Sequence, residues 1–259
     1  MMPHHNSAAR NPRVGWKAWM AALLAAAALA CLGIYWSAGF LDRDPVHLFA
    51  MPATPGTHSP TVAAVFFSGD MGLRYGMGSY VVDALAGSGV PVYAIASSTA
   101  FARRRTHMDV TAMVADAVRQ AMRRSGADKV VVVGQSFGAD MVRVGLAELP
   151  LELRSHVAAL VLIVPGTNAY FRADPLGLAY IGTPDADAAE ARALDWLPVA
   201  CIRGADEADS LCPTLLLPNV RRITLPGGHF LRMDHDLLVR SVFSALAPVL
   251  GAHMDSPSL

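Results

Sequence analysis

Beyond residue 60 the chain alternates short apolar runs with stretches whose apolar residues return every three or four positions. TVAAVFF (61–67), VPVYAIA (90–96), KVVVVG (129–134), VAALVLIVP (157–165), LPVACIRG (197–204) and VRRITLP (220–226) predict strands. Because these runs are apolar almost without interruption, both faces of each strand should be buried. In residues 108–126, Val110, Met113, Val114, Ala117, Val118 and Ala121 fall on one face of a helix, with Asp109 as N-cap and Gly126 as its stop. A second helix is expected from about Met233 to Leu250. Strands alternating with helices predict an α/β fold, a mostly parallel sheet with helices on both faces.

The pattern before residue 60 is different. Residues 18–41 carry no charge and are long enough to cross a bilayer. Arg10, Arg13 and Lys17 precede them and Trp16, Trp19, Tyr35 and Trp36 mark the ends, so residues 1–17 are expected in the cytoplasm and the remainder outside it. The segment predicts a single-pass anchor in a bacterial inner membrane. A signal peptide cut near Ser37–Gly39, or a lipid on Cys31, would export the same domain. Residues 42–60, rich in Pro, Ser and Thr, read as a linker, 61–252 as the domain and 253–259 as a tail.

Composition narrows the function. Lys plus Arg and Asp plus Glu are both 21, and no basic run marks a nucleic-acid surface. No cofactor fingerprint or metal-ligand spacing is visible, and the glycine loop at 68–72 lacks the Gly-Lys-Ser/Thr ending of a phosphate loop.

The sequence GQSFG (134–138) stands where a four-valine strand meets a helix, the context of a Gly-x-Ser-x-Gly nucleophile elbow. Ser136 is the expected nucleophile and the Phe137 N–H an oxyanion donor. Asp70 or Met71, in the loop leaving the first strong strand, would supply the second N–H. A serine hydroxyl needs a base, and chain order in this fold is Ser, acid, His. His229, in a Gly-Gly loop after a strand, is preferred to His235 in the following helix. The acid is expected in the loop after the strand ending near Arg203: Asp206 first, then Glu207, then Asp209. Cys201 and Cys212 flank that loop and are expected to form a disulfide in an oxidising compartment. Between residues 166 and 196 a small cap is expected, with Tyr170, Phe171, Leu176, Leu178 and Tyr180 lining an apolar pocket. Asp140 or Asp174 would be the acidic contact for an ammonium group.

Together, SGDMG, GQSFGAD, the cysteines around GADEADS, and LPGGHF resemble the C-terminal hydrolase domain of the AcvB/VirJ bacterial virulence proteins, over roughly Thr61 to Leu250. The resemblance implies an α/β-hydrolase fold, a periplasmic location and serine-hydrolase activity on an ester. In AcvB-type members the ester is that of aminoacylated phosphatidylglycerol, especially the lysyl form. VirJ-type members imply association with type IV secretion. Ser136, Asp206 and His229 match the triad positions. The chain departs from the family loop, which has a further glycine and a tryptophan where Met71 and Leu73 stand. The membrane segment takes the place of the AcvB-type amino-terminal domain, which implies a short, tethered version. Two other readings remain: a non-catalytic periplasmic partner of secretion or envelope proteins, and a generic carboxylesterase, lipase or thioesterase.

Overall fold

The computed structural model describes residues 15–51 and 60–251. The first fourteen residues, the stretch 52–59 of the expected linker and the tail 253–259 lie outside the described residues.

Seven strands form one sheet: β1 (Val46–Phe49), β2 (Val62–Phe67), β3 (Val92–Ile95), β4 (Lys129–Gln135), β5 (Val157–Ile163), β6 (Val199–Gly204) and β7 (Val220–Leu225). Their order is β1-β3-β2-β4-β5-β6-β7, all parallel except β1, which pairs antiparallel with β3 at the edge. The helices are α1 (Trp16–Ser37), α2 (Gly78–Gly87), α3 (Ser97–Ala100), α4 (His107–Ser125), α5 (Phe137–Ala147), α6 (Leu151–Arg154) and α7 (His235–Leu250).

Uninterrupted apolar strands bury both faces because side chains alternate across a pleat. In β2, Ala63, Val65 and Phe67 join Val110, Val114 and Val118 of α4 and Met141 and Val142 of α5 in one core. Val62, Ala64 and Phe66 face the other way, against Val81 and Leu85 of α2 and Val242 and Leu246 of α7. The sheet is therefore covered on both sides, except at the edge strand β7, where Arg221, Arg222 and Thr224 are exposed against the expectation of burial on both faces.

Local details differ from the sequence reading. The N-cap of α4 is Thr106, not Asp109. Asp109 sits at the third helical position and completes a capping box, accepting from the Thr106 N–H at 2.9 Å while the Thr106 hydroxyl accepts from the Asp109 N–H. Gly126 ends the helix in the left-handed conformation. Within the expected linker, residues 46–49 are β1, a strand without a period of its own that forms because β3 supplies the ladder. The helix of the apolar segment begins at Trp16 and ends at Ser37, and among its described residues none is buried. At about 1.5 Å per residue its 22 residues extend roughly 33 Å, the thickness of a hydrocarbon core. It is the one described helix long and apolar enough to cross a membrane.

Between β5 and β6 a cap lies over the carboxyl ends of the strands, built from two 3₁₀ turns, Leu178–Tyr180 and Ala188–Leu194, and a bridge between Ala169 and Ala186. Arg143 of α5, with no exposed surface, fastens this cap by donating to the carbonyls of Asp187 (2.8 Å) and Thr167 (3.2 Å).

Candidate active site

The carboxyl ends of β2, β4, β6 and β7 converge on one cavity of about 730 Å³. β4 ends at Gln135, and Ser136 turns the chain into α5 with φ 52° and ψ −123°, a conformation that strains any residue bearing a Cβ. The turn is this tight because its neighbours are glycines. A Cβ on Gly138 would lie 2.2 Å from the Phe67 carbonyl oxygen, and one on Gly134 would lie 2.6 Å from the Gly138 carbonyl oxygen. The strain lifts the Ser136 hydroxyl into the cavity, as the elbow motif requires.

His229 follows β7 in its Gly-Gly loop, and its Nε2 lies 2.7 Å from Ser136 Oγ. A turn of residues with positive φ, Leu231 to Met233, follows at once and buries Leu231, anchoring the loop in the core. His235 is elsewhere, stacked on Tyr80 with ring centroids 3.7 Å apart.

The acid differs from the one expected. Glu207, not Asp206, reaches the imidazole, with Oε1 2.6 Å from His229 Nδ1. After β6 a turn closes through the Glu207 N–H on the Gly204 carbonyl (3.3 Å), which folds the fourth residue back over the strand end. Asp206 occupies the outer corner: its N–H donates to the Gly227 carbonyl and its side chain is exposed. Glu207 is buried, and its second oxygen accepts from the Gly204 N–H at 3.3 Å. Asp209, the third choice, accepts from the backbone N–H (3.1 Å) and hydroxyl of Thr167. Asp206 fails because distance along the chain is not distance in space: only the turn decides which carboxylate points inward.

Cys201 and Cys212 are joined by a disulfide, with Cα atoms 5.5 Å apart, closing the loop that carries Glu207. Hydrogen bonding to Glu207 raises the His229 pKa above the ordinary imidazole value, against the lowering effect of burial. Such an imidazole is a stronger base for the serine proton, and its cation has a partner ready.

The Phe137 N–H, at the start of α5, donates to no acceptor among the described hydrogen bonds and lies beside the serine. Asp70 and Met71 line the cavity wall opposite, in a loop so close that a Cβ on Gly69 would lie 3.8 Å from Ser136 Cβ. The Tyr180 hydroxyl donates to Asp70 Oδ2 at 2.8 Å. Burial pushes the Asp70 carboxyl up, while Tyr180 and the neighbouring backbone N–H groups pull it down. Burial also raises the Tyr180 hydroxyl far above its usual range.

Carboxylates are the charged groups that recur in an otherwise largely apolar lining. Asp140, Asp206, Glu207 and Asp209 join Asp70 around the cavity, and no lysine or arginine lines it. Asp140 Oδ1 has no hydrogen-bond partner, since Arg143 Nε is 3.6 Å away, an ion pair too long for a hydrogen bond. Burial raises Asp140 to about 7. Of the cap residues expected to line the pocket, Tyr170 and Tyr180 do so. Phe171 is buried in the core instead, and Leu176 and Leu178 are exposed. Asp174 spends its carboxylate on the N–H groups of Leu176 (3.0 Å) and Ala179 (2.9 Å), outside the cavity. No cluster of His, Cys, Asp or Glu among the described residues has metal-binding geometry.

A family model described as bacterial virulence protein VirJ matches residues 61–249. The chain belongs to the VirJ family. Its sheet, elbow and loop order are those of α/β-hydrolases, and solved structures share the fold. Est1E from Butyrivibrio proteoclasticus superposes with a TM-score of 0.53 at 15% identity, over 78% of this chain and 94% of its own. Carboxylesterase CesB from Bacillus subtilis gives 0.53 at 15%, over 85% and 98%. Lipase BlEst2 from Bacillus licheniformis gives 0.51 at 14%, over 80% and 99%. At these identities the likeness concerns the fold alone. No curated protein matches the chain in sequence.

Proposed function

We propose that this VirJ-family protein is a serine ester hydrolase whose acyl group carries a positive charge, an aminoacyl ester of a membrane lipid such as lysyl-phosphatidylglycerol, and that it works on the periplasmic side of the inner membrane. The observation that carries the reading is the Ser136–His229–Glu207 chain of contacts, 2.7 and 2.6 Å long, at the foot of an acidic cavity.

The mechanism follows from the geometry. Ser136 Oγ attacks the ester carbonyl as His229 Nε2 takes its proton, and Glu207 holds the imidazolium through Nδ1. The Phe137 N–H, with Asp70 or Met71, receives the charge that develops on the carbonyl oxygen. His229 returns the proton to the leaving alcohol, and water then releases the acyl group by the same route. Five carboxylates, with no lysine or arginine in the lining and His229 already paired with Glu207, favour an ammonium over an anionic acyl chain. Asp140, which lines the cavity from the helix that follows the nucleophile, is the receptor we assign to it. Binding an ammonium there would also favour the ionised carboxylate that burial disfavours.

The periplasmic address rests on the apolar helix, on the basic residues before it and on a disulfide, which persists in oxidising compartments.

The test is release of lysine from lysyl-phosphatidylglycerol by the full chain in detergent micelles, beside a neutral p-nitrophenyl ester, for the wild type, Ser136→Ala and Asp140→Asn. The expected result is lysine release that Ser136→Ala abolishes. Asp140→Asn should lower kcat/KM for the lysyl lipid, relative to the neutral ester, by about tenfold or more, one lost charge contact. Turnover of the neutral ester alone would leave a generic esterase. A folded wild type that turns over neither would favour the non-catalytic partner.

A further inference from the structure

The last residues of the expected membrane segment, 38–41, leave the helix and begin to dock on the domain. Ala38, directly after α1, is buried, and its carbonyl accepts from the buried Ser98 hydroxyl. The Gly39 carbonyl accepts from Thr99 Oγ1 at 2.6 Å, and Phe40 packs against the core while touching Tyr35 of the helix, ring centroids 4.9 Å apart. On the other side the docked chain meets the wall of the cavity. Gly72, at φ 74°, is so close that a Cβ there would lie 2.6 Å from the Ala38 carbonyl oxygen. Ser37 Oγ, the last of the helix, is 2.8 Å from the hydroxyl of Tyr75, which itself lines the cavity. The helix therefore ends on the same loop, residues 69–76, that passes beside Ser136.

Several exposed apolar side chains belong to the segments that border the cavity. Leu176, Leu178, Ile181 and Phe230 are each at least 65% exposed, and all lie within two residues of side chains lining the cavity. Exposed apolar groups on the segments that border one cavity suit a surface that meets something apolar. Its continuity with a bilayer-length helix, through Ser37 and Tyr75, says what that is.

We infer that the rim of the cavity is a bilayer-docking surface: α1 and the 69–76 loop form one body, which sets the mouth against the outer lipid–water boundary so that an ester lipid enters from the membrane rather than from water. Leu176, Leu178, Ile181 and Phe230 dip into that boundary, and the aromatic residues at the end of α1, Tyr35 and Trp36, mark its level. The inference deepens the hydrolase reading and rests on it for the use of the cavity; the orientation itself does not need turnover.

The experiment attaches an environment-sensitive fluorophore to single cysteines in the full chain, in a Cys31→Ser background with the disulfide intact, reconstituted in anionic phospholipid vesicles that carry a nitroxide near the headgroup. Leu178→Cys and Phe230→Cys report on the rim. Leu151→Cys is the control, equally exposed but at the opposite end of the sheet, ahead of β5. All three sites are exposed, so the substitutions do not disturb the core, and because Phe230 also lines the cavity beside His229, ester hydrolysis is measured on the unlabelled wild type. The expected result is quenching several-fold greater at 178 and 230 than at 151. Equal quenching at the three sites, or a protein that separates from the vesicles on flotation, would overturn the inference. Rim quenching in a chain that hydrolyses no ester would leave the docking surface standing and remove the hydrolase.

Discussion

Replacing Glu207 by glutamine takes away the charge that raises the His229 pKa and leaves a neutral group beside Nδ1. Only the neutral imidazole accepts the serine proton, so activity rises with pH through the folded-state pKa of His229. For the wild type that acidic limb should lie above the ordinary imidazole value. In Glu207→Gln it should move to lower pH while kcat falls by about 10²–10⁴-fold. Asp206→Asn, at the exposed corner of the same turn, should change kcat by less than about threefold, as a surface change does. A pH–rate profile for the two variants decides between them. The same residues show where sequence reading stops. Ser136 and His229 were legible because each is announced by its own glycines at a strand end. Three acids within four positions after β6 were indistinguishable until a turn through Gly204 chose among them.

Among the elements, the strands were the most legible, since five of the six apolar runs are buried on both faces, as a parallel sheet covered by helices requires, and only β7 is not. The edge strand β1 was not: four residues, half exposed and flanked by prolines, carry no period of their own and depend on pairing with β3. The cap was legible as a segment but not side chain by side chain. Phe171 went to the core and Leu176 and Leu178 to the surface because a cap without regular period does not reveal its inner face. The loop from β6 to the disulfide is the element on which the acid depends. The double variant Cys201→Ser, Cys212→Ser releases a loop with a sequence separation of 11. It should lose roughly 2–3 kcal/mol of stability, about 5–10 °C in Tm for a domain of this size. Because Glu207 rides on that loop, esterase activity should fall well before global unfolding. Thermal unfolding followed beside initial rates, with and without reductant, would show the two midpoints apart.

For the whole molecule, the sequence carried the division into an apolar amino-terminal helix and an α/β domain, but not the way the two are joined. Ala38 and Gly39 read as the end of the membrane segment, whereas they contact Ser98 and Thr99, 60 positions away. No local pattern announces such a contact. Its consequence is a molecule in which the end of the apolar helix meets the loop beside the nucleophile, at the cavity wall. The central claim is that a strained serine, backed by His229 and Glu207, is a working nucleophile. A fluorophosphonate reports on that directly, whatever the natural acyl group, because it traps an activated serine covalently. With the full chain in micelles, intact mass and peptide mapping should show one adduct, on Ser136, formed at a rate that Glu207→Gln slows and His229→Ala reduces to background. A folded wild-type protein that takes up no fluorophosphonate, or takes it up equally when Ser136 is alanine, would contradict the account.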